Sequence, residues 1–182
     1  IKIDVLINCA AKDHIPNKKN RNKVKLNLEN FPHRIWMEDI NVGLTGSLLT
    51  TKIFGSYMAK KKNGVILNIS SDLGLIAPDQ RLYRDECLAE NQQPVKPITY
   101  SVTKSGLIGL TRYLATYWPE KVRCNALCPG GVETGQPEEF LMKVREKIPM
   151  SRMASVNEYQ GTLIYLLSSA SAYMNGSVVA MD

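Results

Sequence analysis

Tyr100 and Lys104 stand four residues apart in Tyr100-Ser-Val-Thr-Lys104. On a helix that spacing puts a phenol and an ammonium on one face. A free tyrosine has a pKa near ~10 and is a poor base at neutral pH. A fixed positive charge favours the phenolate. Bringing the value near neutrality takes about 4 kcal/mol, at roughly 1.36 kcal/mol per unit. A desolvated lysine together with a cationic ligand ring is of the size to supply that. The pair then has the makings of a general acid/base. Taken alone, the same spacing also describes an exposed pair on a helix surface.

Two further residues invite the same reading. Ser71 follows the apolar run Val65-Ile-Leu-Asn-Ile69. A hydroxyl there can donate to an oxygen on which charge develops, or it can cap a turn. Asn41 interrupts an otherwise apolar helical pattern. Asparagine competes for backbone hydrogen bonds and loosens a helix locally. It could hold a water in a proton relay, or simply face solvent.

The elements that must position these residues follow from periodicity. Residues 3–7, 65–69, 122–128 and 178–181 are short apolar runs and read as buried strands. Residues 34–62 read as a helix, with Trp36, Ile40, Leu44 and Leu48 at four-residue spacing, and Asn63-Gly64 stops it. Tyr100 to Trp118 is the next helix, ended by Pro119, with Leu107, Leu110 and Leu114 as its core stripe. Gly106 and Gly109 within it predict close packing of a neighbour. Residues 138–147 and 156–168 are further helices, and 75–99 is a polar loop with at most one short helix. Apolar strands alternating with helices predict an α/β fold, a doubly wound parallel sheet covered on both faces. Chemistry then belongs at the carboxyl ends of the strands, where Asn8-Cys-Ala10, Ser70-Ser71 and Pro129-Gly130 converge.

The 182 residues, 44% hydrophobic and 22% charged, suit one domain of 1–182 with its own core. No apolar run reaches the ~18 residues of a membrane span. The formal charge is +6, and residues 12–25 hold a net +5 (six cations, one carboxylate), leaving +1 for the rest. That segment lacks aromatic residues for base stacking, so it reads as a solvated loop and no nucleic-acid partner is expected. Cys9, Cys87, Cys124 and Cys128 form no CxxC, and His14 and His33 lie in unrelated segments, so no metal site is expected. Reduced, buried cysteines in a cytoplasmic protein are the expectation.

Jointly, Ile7-Asn8-Cys9-Ala10-Ala11, Asn41, Ile69-Ser70-Ser71, Tyr100-x-x-x-Lys104, Arg123-Cys-Asn125 and Cys128-Pro129-Gly130-Gly131-Val132 resemble the short-chain dehydrogenases/reductases, in their order. The resemblance covers the whole chain. It implies a Rossmann-like fold, an NAD or NADP cofactor and hydride exchange with a carbonyl or hydroxyl carbon. Tyr100 would exchange the proton, Lys104 would lower its pKa and bind the nicotinamide ribose, Ser71 would polarise the substrate oxygen, and Asn41 would complete the relay. Asn8, Ala10, Pro129, Gly130, Val132 and Thr134 would line the cofactor cleft beside Tyr100 and Lys104. Self-association through the 34–62 and 100–118 helices, as a homodimer or homotetramer, is implied as well.

The sequence also departs from the family pattern. No GxGxxG occurs, and the chain begins at what resembles the family's fourth strand, so the glycine-rich turn and the first strands are expected to be missing from it. Cys9 and Ala11 stand where the family usually has Asn and Gly. Between Ser71 and Tyr100 lie 28 residues, about twice the family interval, which marks 75–99 as a substrate-side insertion. Arg81, Arg84 and Lys96 there could meet an anionic substrate. With Pro94-Val-Lys-Pro-Ile-Thr-Tyr100, the insertion looks like reductases of flagellin-modification and nonulosonic-acid sugar pathways, which implies a phosphorylated or nucleotide-linked sugar. The rival readings are a sugar epimerase or dehydratase using the same Tyr-Lys pair, and a non-catalytic Rossmann-like binding protein.

Overall fold

The computed structural model describes residues 2–12 and 26–182. Of the basic segment 12–25, all but Lys12 lies outside the described residues; Lys12 Nζ donates to Glu38 Oε2 at 2.6 Å. Four parallel strands form one sheet in the order β1 (Val5–Asn8), β2 (Val65–Ile69), β3 (Arg123–Pro129) and β4 (Val178–Met181). Asn8, Asn68 and Ala126 share one row of the sheet, so the carboxyl ends of β1, β2 and β3 lie side by side. Between β1 and β2 run α1 (His33–Ile40), α2 (Gly46–Thr50) and α3 (Ser56–Lys61). Between β2 and β3 runs α4 (Ile98–Tyr117); between β3 and β4 run α5 (Glu138–Arg145) and α6 (Gln160–Leu167).

Both faces of the sheet are covered, which is why its central strands are apolar throughout. Ile66 and Cys124 pack with Met58, Leu114 and Val122 on one face. Leu67 and Leu127 pack with Leu166 on the other. β1 is the exception to the expected burial: Val5 and Ile7 are 40% and 44% exposed, because the second layer packs on β2, β3 and β4.

The elements α1, α2 and α3 are one continuous helix joined by two π turns, Asn41–Thr45 and Thr51–Gly55. Its buried line is not the apolar stripe that the sequence suggests. Ile35, Asp39, Gly43, Ser47, Thr51 and Gly55 face inward, while Leu48 is half exposed. The helix lies too close to α4 for large side chains. A Cβ on Gly43 would stand 2.3 Å from Thr103 Cγ2. A strict four-residue repeat drifts ~40° per step on a helix of ~3.6 residues per turn. The two π turns underwind the helix and hold the small residues on one face. Asn41 opens the first of them, as its poor helix propensity suggests. The opposite face consequently carries exposed Val42, Leu48, Leu49 and Ile53.

The stop after α3 falls on Lys62, which takes the left-handed conformation (φ 53°), one residue before Asn63-Gly64. α4 starts at Ile98 rather than Tyr100 because extended Pro97 precedes it and accepts from Tyr100 N at 3.1 Å. Gly106 packs against Leu44 as expected, but Gly109 borders open space. α5 ends two residues before its expected limit, and the 156–168 helix opens as a 3-10 turn, Val156–Tyr159. Its capping box joins Ser155 to Glu158.

The 75–99 segment contains two 3-10 turns, Gln80–Tyr83 and Glu90–Gln92. It docks on α5: Leu82 joins Leu141, Val144 and Met153, and the Tyr83 and Phe140 rings lie 5.7 Å apart. Lys143 Nζ donates to the Arg84 carbonyl at 2.8 Å. All four cysteines are unpaired, and only Cys124 and Cys128 are buried; Cys9 sits beyond the end of β1 and Cys87 in the 75–99 segment, both exposed. Among the described residues no helix is long and apolar enough to cross a membrane, and no His/Cys/Asp/Glu group could hold a metal ion.

Candidate active site

Tyr100 lies in the first turn of α4 and Lys104 in the next. Lys104 is buried, its Nζ 5.7 Å from the centroid of the Tyr100 ring. The ammonium donates to the carbonyl of Ile69 at 2.9 Å, which ties α4 to the end of β2. Ser70, which the sequence reading passed over, adds a second tie by donating to the Lys104 carbonyl at 2.8 Å. Ser105 Oγ donates to the Gly74 carbonyl at 3.1 Å. Gly74 itself packs so close that a Cβ would stand 2.6 Å from Ser70 Oγ and 3.0 Å from the Lys104 backbone. The turn that carries Ser71 is thus riveted to the turn of α4 that carries Lys104.

Ser71 is buried and extended, and its hydroxyl accepts from Leu73 N at 3.2 Å while donating to Asp72 Oδ1 at 2.5 Å. It therefore caps the short turn Asp72–Gly74 as well as standing at the strand end. Behind it lies the Cys128 thiol, whose pKa is raised, chiefly by burial. Asn41 is exposed, and its amide oxygen accepts from Thr45 Oγ1 at 3.4 Å. Its π turn reaches α4 through the Gly43–Thr103 contact, one residue from Lys104. Asp39 and Thr99, both buried, join at 2.6 Å and pin α1 beside Tyr100. The turns bearing Asn41 and Ser71 therefore converge on the Thr103–Ser105 stretch of α4.

The carboxyl ends of β1 and β3 flank that of β2, which leads into Ser70 and Ser71. Ala10 is exposed there, and Pro129, Gly130 and Val132 are half-buried. Tyr159, whose pKa burial raises, donates to the Gly130 carbonyl at 3.2 Å and fixes the turn. Thr134 is exposed, its backbone N–H held by Gln136 Oε1 at 2.8 Å. Small side chains and backbone at these strand ends, with the Lys104 ammonium bonded to the end of β2 between them, suit the flat ring and ribose of a nicotinamide nucleotide.

Asn8 has another task. Its side chain is buried and donates to Asn68 Oδ1 at 2.8 Å and Thr51 Oγ1 at 3.2 Å, while its oxygen accepts from Thr50 at 2.7 Å. The side chain of Asn8, expected beside the cofactor, thus has its hydrogen bonds inside the fold, to Thr50, Thr51 and Asn68. Asn68 continues the line by donating to Thr111 Oγ1 at 2.8 Å. The one amide within the apolar run of β2 was the available signal for this network. Arg123 and Asn125 also act internally. Arg123 donates to the carbonyls of Leu166, Ser168 and Met174, and Asn125 bonds Met174 and Ser177.

The cations of the 75–99 segment are not bare. Arg81 Nη2 meets Asp79 Oδ2 at 2.8 Å and holds that carboxyl well below the usual range, and Arg84 pairs with Glu90. Lys96 lies over the Tyr100 ring, 3.7 Å from its centroid. Of the three cations expected to meet an anionic substrate, two are engaged by carboxylates and the third lies over an aromatic ring.

Comparison with known proteins agrees with this architecture. Residues 1–83 match the family model described as short chain dehydrogenase, and residues 87–182 match that described as Enoyl-(Acyl carrier protein) reductase. The chain is 32% identical over 185 residues to the 3-oxoacyl-(acyl-carrier-protein) reductase FabG of Aquifex aeolicus, covering 99% of this chain and 64% of that protein. It is 32% identical over 146 residues to the post-translational flagellin modification protein A of Campylobacter coli, covering 80% of this chain and 55% of that protein. A short chain dehydrogenase from Leptospira borgpetersenii, solved with bound NAD+, superposes with a TM-score of 0.78 at 30% identity, covering 98% of this chain and 63% of that one. The chain thus spans between 55% and 64% of the length of these relatives. With the parallel sheet, the Tyr100–Lys104 helix and matches along nearly its whole length, the chain belongs to the short-chain dehydrogenase/reductase family.

Proposed function

We propose that this protein is an NAD- or NADP-dependent oxidoreductase acting on a carbonyl or hydroxyl carbon of a small, polar, sugar-like molecule. The observation that carries this reading is the convergence of the Asn41 and Ser71 turns on α4 beside Lys104 and Tyr100. Ala10, Pro129, Gly130, Val132 and Thr134 line the nicotinamide, and Lys104 takes its ribose. When bound, the dinucleotide supplies or accepts the hydride. Tyr100 exchanges the proton with the substrate oxygen, Lys104 favours its phenolate, Ser71 donates to the same oxygen, and Asn41 hands the proton on through water.

The substrate class rests on the insertion and on similarity to the flagellin modification protein. A cleft of about 650 Å³ lies between residues 27–30 and the insertion, lined by Asn27, Asn30, Gln80, Asn91 and Gln93 and by the Arg84–Glu90 pair. It reaches Pro94 and Val95, next to Lys96, but touches none of the four catalytic candidates. Amides and balanced charge suit hydroxyl groups, and a phosphorylated or nucleotide-linked sugar would have to draw Arg84 away from Glu90. The test is cofactor oxidation or reduction with keto-sugars, sugar phosphates, nucleotide sugars and 3-oxoacyl thioesters. Turnover with one of the sugar classes is expected. Turnover with the thioesters alone would overturn the substrate class, and none with any would overturn the reaction.

We also infer that the protein self-associates, as a dimer or tetramer, through the long helix and α4. Val42, Leu48, Leu49 and Ile53 on the first and Val102, Tyr113 and Tyr117 on the second are exposed. Light scattering should give at least twice the mass of one chain; a monomer at micromolar concentration would refute it. The unpaired cysteines suit a reducing compartment, and we assign the protein to the cytoplasm on that ground.

A further inference from the structure

The geometry points to Lys96 as a positioning residue for Tyr100: the insertion lays a second cation on the face of the phenol ring, which steadies the ring and favours its phenolate. This rests on the catalytic reading given above for Tyr100. Lys96 Nζ lies 3.7 Å from the ring centroid, whereas Lys104 Nζ lies 5.7 Å away. The nearer ammonium therefore comes from the insertion and not from the Tyr-x-x-x-Lys repeat.

Three features hold Lys96 in place. It precedes Pro97, which biases its backbone to the extended region. Pro97 is buried and opens α4, so the segment enters the helix at a fixed angle. The Gln80 side chain grips Lys96 on both sides: Lys96 N donates to Gln80 Oε1 at 2.9 Å, and Gln80 Nε2 donates to the Lys96 carbonyl at 3.4 Å. Gln80 starts the turn whose Leu82 and Tyr83 dock on α5. A chain of fixed contacts thus runs from α5 through Gln80 to Lys96 and the Tyr100 ring.

A cation over an aromatic face is attracted by the ring quadrupole. The attraction strengthens when the phenol loses its proton, because the negative charge spreads into the ring. Charged groups on the elements packed around Tyr100 include Lys96 from the insertion, Lys104 from α4, Asp72 from the turn after β2 and Asp39 from α1. The two lysines favour the phenolate and the two carboxylates oppose it. Asp39 is engaged by Thr99, and Asp72 by Ser71 and Leu73 N.

The experiment compares the intact protein with Lys96→Met and Lys96→Arg. The pH profile of kcat is recorded for each, and Tyr100 is titrated without cofactor by NMR of Cζ-labelled tyrosine, its resonance assigned by its loss in Tyr100→Phe. Lys96→Met should move both the basic limb of kcat and the Cζ titration upward by about one pH unit. Lys96→Arg should restore most of the shift. A Lys96→Met titration that coincides with the parent's would overturn the proposal, even if kcat fell, because removing a cation that favours the phenolate must raise the phenol's titration. An inactive parent, or an active Tyr100→Phe, would count against the catalytic reading instead. The Cζ titration would still decide the role of Lys96.

Discussion

Tyr100→Phe should lower turnover by about 10²–10⁴-fold while leaving dinucleotide affinity within a few-fold of the parent. The substitution removes one oxygen from the first turn of α4 and keeps the ring. The ring's packing, including its contact with Lys96, stays in place. Lys104 keeps its bond to the Ile69 carbonyl, so the ammonium assigned to the ribose does not move. The loss should therefore appear in kcat and not in cofactor binding, which quenching or enhancement of nicotinamide fluorescence would measure. Turnover at the parental rate would remove Tyr100 from the chemistry. A parallel collapse of cofactor affinity would show that the hydroxyl serves binding rather than proton transfer.

Asn68→Ala should cost about 2–4 kcal/mol of stability, read as a fall in the urea midpoint at unchanged slope. Asn68 is fully buried in β2. Its oxygen accepts from Asn8, and its nitrogen donates to Thr111 on α4. Truncation leaves the Asn8 amide with Thr51 as its acceptor, strips a donor from the Thr111 hydroxyl and opens a void in the middle layer. Each buried group left without its partner costs about 1–3 kcal/mol. The amide line crosses from the long helix through β1 and β2 to α4, so its loss loosens the same elements that assemble the site. A midpoint within about 0.5 kcal/mol of the parent's would mean that the network is not what binds the sheet to its helices.

The catalytic candidates were legible because they are local patterns. Tyr100 and Lys104 need only the i, i+4 geometry of one helix, and Ser71 only the end of one apolar run. Asn41 was visible as a polar break, and its π turn is the structural form of that break. What was hidden depends on partners far apart in the chain. Asn8 and Asn68 are 60 residues apart, and only the register of β1 with β2 brings their amides together. The inward face of the long helix was misread because Gly43, Ser47, Thr51 and Gly55 carry little hydropathy signal, while the larger residues beside them dominate the pattern. For Arg81, Asp79 stood two residues away in the sequence. Only the structure decides that it takes the carboxylate instead of an incoming ligand.

The docking of residues 75–99 on α5 constrains how this site can be rebuilt. Leu82 and Tyr83 are half of an apolar joint whose other half is Phe140, Leu141 and Val144. Lys143 closes the joint on the Arg84 carbonyl. Moving residues 75–99 alone into a shorter relative would leave both halves exposed and Gln80 without its anchor. The exchangeable unit is a discontinuous cassette of 75–99 plus 138–147. Swapped as a whole, it would carry its apolar joint and the lysine over Tyr100 into a new host together.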